Sequence, residues 1–313
     1  MGRRRILQGA VLALALLVGA LLAAQTAFAL PDAAPTPTPT PTRTTTWADV
    51  PPGADASWPV CTPPRGTTRT LPLADSPAFA VVGVNDGLPG TRSACIEREL
   101  AWADTSTGGT AQPRLEYYVM AADPWTEPEL KWVPKPDWPS SNDARGTAVP
   151  VPAAFASEEH GTACSGGHDE RACAYVYGWR TALTDAALPG LRSPGSHRFW
   201  IDVEAVRTWN DDQRFNQAVI EGMVAGFTSP RSAGGVGTTT GLYSDYAEWA
   251  DIAGRLRAGS PLDRLDEWLA IGRTDRAAAI RALRRDWPFV AGAHLRLVQY
   301  LDGAIDRDAA APG

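Results

Sequence analysis

The chain has 313 residues, 44% of them hydrophobic and 20% charged, with a formal net charge of −6. That length accommodates one large domain or two small ones. The acidic balance excludes a general nucleic-acid surface, which needs a basic patch, and offers no overall attraction to anionic cell-wall polymers.

The first 29 residues read as an export signal. Arg3, Arg4 and Arg5 precede a nearly continuous apolar run, Ile6–Ala24, and Ala27–Phe28–Ala29 supplies a small-x-small cleavage pattern. The Arg-Arg-Arg-Ile-Leu start also fits a twin-arginine signal. An uncleaved anchor is the alternative, because the apolar run is about as long as a membrane span. Removing the three arginines leaves 26 basic against 35 acidic residues, about −9. Residues 30–50 form a Pro/Thr-rich linker containing PTPTPTPTRTTT. Prolines remove backbone donors and favour extended chain, so this is a semi-rigid spacer. A secreted or wall-associated protein with no membrane segment after cleavage is the expectation.

Four cysteines in an exported chain suggest two disulfides. Cys164 and Cys173 close a short loop, which leaves Cys61 for Cys95; the other two connectivities stay open. His160, Cys164, His168 and Cys173 make a loose zinc-like grouping of no standard spacing, and an oxidising compartment favours the disulfide, so no metal is expected.

Beyond the linker, residues 51–309 alternate between strand and helix patterns. Gly53–Pro59 is a short strand and Ala78–Asn85 a buried one. Ser93 is placed to cap a helix running to about Asp104, and Leu115–Ala121 is the next strand. A Pro-rich irregular section from Ala122 to Cys164 carries Trp125, Trp132 and Trp138, which either stack on sugar rings or pin the loop to the body. A helix over Ala172–Leu188 leads to HRFWIDVEAVRTW, His197–Trp209. Its apolar run is a buried strand, and Asp202 and Glu204, two residues apart, share one face while Val203 packs behind. Helices over Gln213–Phe227 (capped by Asp211 or Asp212), Tyr246–Arg257 and Asp275–Arg285 alternate with strands Thr239–Ser244, Asp266–Ile271 and His294–Leu301. Ala304–Asp308 is a last short strand.

Eight strands with intervening helices and no internal repeat predict an α/β fold: a single, irregular TIM-like (β/α)-barrel with a long Trp/Pro-rich loop insertion. An open doubly wound sheet is the alternative, but no phosphate-binding glycine fingerprint follows a strand. Barrel chemistry gathers at the C-terminal strand ends. Asp55, Asp86, Asp202, Glu204, Asp245, Asp306 and Asp308 fall there, with Trp58, Trp200, Trp209, Tyr243 and Tyr300 as candidate aromatic platforms. Glycoside hydrolysis asks for such a set: one carboxyl kept protonated, another kept charged, and rings to hold sugars.

The motifs also resemble the glycoside hydrolase family 25 lysozymes, more closely the exported actinobacterial proteins with a family-25-like domain. Gly53–Cys61 resembles the opening G-x-D-V-S segment, Phe79–Gly87 the second strand and Trp200–Glu204 the W-L-D-V-E core. Gly241–Ser244 resembles G-I-Y-[ST], Trp268–Ala270 resembles W-x-A, and Gln299–Tyr300 with Ile305–Asp308 resembles Q-Y…V-D-x-[DN]. The resemblance spans Gly53–Asp308. It implies Glu204 as general acid/base, Asp202 assisting by orienting a 2-acetamido group, and Asp55 with Asp306 or Asp308 shaping the −1 site. Asp86, Trp58, Trp200, Tyr243, Trp268 and Tyr300 would line the substrate cleft. The implied reaction is cleavage of β-1,4 bonds in peptidoglycan by a monomer without cofactor. Ala56 stands where the family has Val, Val298 where it has Trp, and the Ala122–Cys164 insertion is outside its pattern. A non-catalytic glycan-binding barrel and a glycosidase for another polysaccharide are the competing expectations.

Overall fold

The computed structural model describes residues 46–56, 60–61, 72–123, 138–157, 161–205 and 209–313. The export signal, most of the linker, Trp58, Trp125, Trp132 and His160 lie outside them.

Among the described residues ten strands occur in chain order: β1 (Gly53–Ala56), β2 (Ala80–Gly83), β3 (Leu115–Met120), β4 (Asp143–Ala144), β5 (Thr147–Ala148), β6 (Phe199–Asp202), β7 (Thr240–Ser244), β8 (Asp266–Arg273), β9 (His294–Asp302) and β10 (Ile305–Ala310). Eight of them close a barrel in the order β1, β2, β3, β6, β7, β8, β9, β10. Neighbours from β1 through β9 pair parallel, whereas β10 runs antiparallel to both β9 and β1. The reversal has a local cause. Only Gly303 and Ala304 separate β9 from β10, and a parallel return needs a crossover of a dozen residues or more. The fold is therefore a TIM-like α/β barrel with one reversed strand.

Helices α1 (Ile96–Ala103), α2 (Arg171–Ala186), α3 (Gln213–Thr228), α4 (Tyr246–Ile252) and α5 (Arg276–Arg285) occupy the connections. Asp212 caps α3 through Arg214 N, Asp245 caps α4 through Ala247 N and Glu248 N, and Asp275 caps α5 through Ala278 N. The helix expected from Tyr246 to Arg257 ends at Ile252, because Gly254 at φ +58° turns the chain and returns its N–H to Trp249 O. Ser93 does not cap α1; Cys95 holds that position, and the Ser93 hydroxyl instead accepts from Cys95 N.

Alternation along the strands divides the core in two. Outward residues such as Val82, Tyr117, Val119, Phe199, Ile201, Val203 and Leu242 pack under the helices. Inward residues Phe79, Val81, Trp200, Tyr243, Trp268 and Leu297 fill the lumen. Small residues make room for large ones. A Cβ on Gly53 would fall 2.3 Å from the Phe79 ring, and one on Gly241 would fall 2.2 Å from the Trp200 ring.

The section expected to be irregular carries the β4–β5 hairpin, turned by Arg145 and Gly146, both at positive φ. Trp138 pins this section: its ring stacks on Phe215 (centroids 6.2 Å apart) and lies 5.6 Å from Tyr177. Trp47 and Val50 also pack on the body, and the Arg276 guanidinium donates to Ala48 O and Val50 O.

Candidate active site

β6 delivers its acids as the period-2 pattern requires. Val203 is wholly buried in the outer core, while Asp202 and Glu204 continue the inward face of Trp200 at the C-terminal end of the parallel strands. The strand end is held by Val203 N donating to Tyr243 O (2.9 Å) and by the Ser244 hydroxyl donating to Val203 O (2.7 Å). The Trp209 indole N–H donates to Glu204 O at 2.9 Å, fixing the backbone that carries this carboxylate.

A chain of side chains links Glu204 to the opposite wall. The Tyr243 hydroxyl lies 3.5 Å from Glu204 Oε1 and donates to Gln299 Oε1 at 2.9 Å. Gln299 in turn donates from Nε2 to Asp55 Oδ2, also at 2.9 Å. Gln299, part of the Q-Y motif, is a site residue whose role becomes visible only in this hydrogen-bonded series.

Asp55 and Asp308 form a buried carboxyl pair. β1 and β10 pair with Gly53 opposite Asp308 and Ala54 opposite Arg307. Burial, then Asp308, then Asp306 push the Asp55 carboxyl well above the usual carboxylate range, with Gln299 pulling the other way. Burial likewise raises Asp308, against the hydrogen bonds it receives from Trp268 (Nε1 to Oδ1, 2.8 Å) and shares with Asp55. Two carboxyls this close and this dry cannot both ionise, so the pair holds a proton.

The other acids converge on the same space. Burial raises the Tyr118 hydroxyl, followed by the charges of Asp202, Asp55 and Glu204 among others. Burial raises Tyr243 too, followed by Glu204, Asp202, Asp55 and Asp306. Tyr118, on β3, donates to Ala56 O at 3.1 Å and closes the side of the mouth next to β1. It was not anticipated, although its alternation with Glu116 and Met120 would have placed it inward.

Several expected cleft residues lie elsewhere. Tyr300 faces outward into the cluster of Leu269, Leu283, Leu295 and Val298, because its neighbour Gln299 takes the inward position. Trp200 is fully buried one layer below the acids, its indole N–H donating to Glu116 Oε2 at 3.0 Å. Trp268 is also buried, 4.5 Å from the Tyr243 ring, and supports Asp308. None of the three is exposed enough to act as a sugar platform. Asp308, fully buried, acts on Asp55 rather than on a ligand, while the half-buried Asp306 remains at the mouth. Asp86 is exposed on the turn after β2, where its charge acts on Glu99. Asp245 is spent as the α4 cap.

Both disulfides follow the short-loop pairing: Cys61–Cys95 and Cys164–Cys173. The zinc-like grouping is thereby excluded, since its two sulfurs are bonded to each other, and the His168 ring meets Trp138 edge-on at 5.8 Å. Two disulfides fit an oxidising compartment. Among the described residues no helix is long and apolar enough to cross a membrane.

No family model, no curated protein and no solved structure matches the chain.

Proposed function

We propose that this is an exported glycoside hydrolase acting on the glycan strands of peptidoglycan, with Glu204 as general acid/base. The observation that carries the reading is the connected series Glu204, Tyr243, Gln299, Asp55 and Asp308 at one end of the barrel. It joins Glu204 to a buried carboxyl pair around one opening, and several carboxyls at one opening are what glycoside hydrolysis requires.

In this reading, the Tyr243 hydroxyl, donating to Gln299 at 2.9 Å and lying 3.5 Å from Glu204 Oε1, positions the Glu204 carboxyl at the opening. Glu204 then serves as proton donor to the leaving oxygen. Asp202, on the same strand face, orients the substrate's 2-acetamido group or stabilises the oxocarbenium-like centre. Asp55, sharing a proton with Asp308, presents a floor carrying one negative charge rather than two. The apolar N-terminal run and the two disulfides support export.

The test is turbidity of isolated peptidoglycan incubated with the wild-type protein and with Glu204→Gln. Clearing by the wild type alone supports the proposal. No clearing by either, with protein retained on the pellet, would favour a non-catalytic glycan binder.

A further inference from the structure

We propose a second saccharide site on the outer wall of the barrel, at Tyr246 and Trp287, taking a carboxylate-bearing glycan chain. For the ligand class it rests on the glycan reading of the mouth.

Among the described residues, the two large hydrophobic side chains exposed to solvent are Trp287 (65%) and Tyr246 (50%). They are neighbours: the Tyr246 hydroxyl donates to the Trp287 backbone O at 2.6 Å, which holds the two residues together. Exposed apolar surface is usually scattered singly, and a paired, hydrogen-bonded patch marks an interaction surface. Rings of this kind offer rigid apolar faces with a polar edge, which suits the C–H faces and hydroxyls of a sugar.

A cavity is lined by residues one helical turn from Tyr246 and two residues beyond Trp287. One turn along α4, Trp249 packs on Phe289 with ring centroids 5.1 Å apart, and both line a space of about 330 Å³. Arg255 and Arg257 line the same space. Arg257 is committed to Glu221 at 2.6 Å, whereas Arg255 meets no carboxylate among the described residues. At the other side of the patch, Arg285 lies over the Trp287 ring, 5.3 Å from its centroid. The cavity's one acid, Asp263, already faces Arg264. Arg285 at the Trp287 ring and Arg255 in the cavity are thus guanidinium groups close to the rings, while the nearby acids are engaged elsewhere: Glu267 accepts from Phe289 N and Val290 N, and Asp286 pairs with His294 and accepts from Leu295 N. Guanidinium groups pair with carboxylates, so the fitting ligand is an acidic glycan such as the carboxylate-bearing strands of peptidoglycan.

The experiment measures retention of the full chain on isolated peptidoglycan sacculi and on insoluble chitin, in the Glu204→Gln background so that nothing is cleaved. The double variant Tyr246→Ala/Trp287→Ala should lose about tenfold in retention on sacculi, and Arg255→Ala should lose retention on sacculi but not on chitin. Circular dichroism of each variant should match the parent, since all three side chains are exposed. Unchanged retention of the double variant would overturn the proposal, as would equal affinity for chitin and sacculi. Light scattering that shows a dimer dissociated by the double substitution would also overturn it, by assigning the patch to a second copy of the chain. Retention needs no catalysis, so a protein that binds through this patch but never cleaves would sink the reading of the mouth and leave this site standing.

Discussion

Gln299 stands between Asp55 and the rest of the mouth, donating to Asp55 Oδ2 across 2.9 Å while accepting from Tyr243 at the same distance. In this orientation the amide couples the proton arrangement on its two sides. Gln299→Leu keeps the volume and removes both bonds. It leaves the buried Tyr243 hydroxyl without its acceptor, at about 1–3 kcal/mol in chemical denaturation. Loss of the positioned hydroxyl and of the donor on Asp55 should lower kcat by about 10²-fold. A full-activity Gln299→Leu variant would remove this residue from the mechanism.

Asp308 gives a separate test, because its two neighbours ask for different things. In Asp308→Asn the side-chain oxygen still accepts from the Trp268 indole, and the new amide nitrogen can donate to Asp55. The like charge disappears, so the Asp55 carboxyl should fall back toward the usual range. Asp308→Leu instead strands the Trp268 N–H and should destabilise by about 1–3 kcal/mol. Melting temperatures at pH 8 should rank Asp308→Asn above Asp308→Leu; equal values would mean the Trp268 bond contributes nothing.

Stability should fall as pH rises from about 5 to above 8. Burial holds Glu99 and Glu116 up to about 7, and Asp185 and Glu267 up to about 8. Each is protonated in the folded chain over a range where the unfolded chain has released the proton. The folded state then binds more protons, and the stability present below the unfolded pKa is lost as pH rises through the folded one. Asp212 and Asp286, held low in net by their hydrogen bonds and cationic partners despite partial burial, act oppositely and only in acid. Thermal melts should therefore give a higher Tm at pH 5 than at pH 8.5, and Asp185→Asn should flatten the slope. A Tm that rises over that interval would contradict the burial assignments.

Gly241 should tolerate no side chain. A methyl group there would fall 2.2 Å from the Trp200 ring, inside a lumen already filled by Trp200, Trp268 and Tyr243. Gly241→Ala should cost about 1–3 kcal/mol by overpacking. Because Trp200 and Asp202 share one strand face, the shift should also reach the acid. Crystals of the variant would show the Trp200 ring displaced.

Much of this architecture was legible in the residue pattern. The alternation in Phe199–Glu204 placed Val203 outward and the two acids inward, and the strand order brought Asp55 and β10 to the same end. The lumen's aromatics were harder to read. Trp200 obeys the same parity as Asp202, yet parity says nothing of depth, and one layer down it is floor. Tyr300 stands near the end of its strand, yet adjacent strand residues point to opposite faces, and Gln299 takes the inward one. The carboxyl pair of Asp55 and Asp308 needed the β1–β10 register, which no local pattern reports.

Glu204 is proposed to donate a proton to a glycosidic oxygen. Reducing ends released from purified peptidoglycan, counted for the wild type and for Glu204→Gln at equal concentration, test it most directly. The wild type should release ends steadily and the variant about 10³-fold more slowly, as loss of a general acid/base should give. Equal release by the two proteins, or none from either, would contradict it.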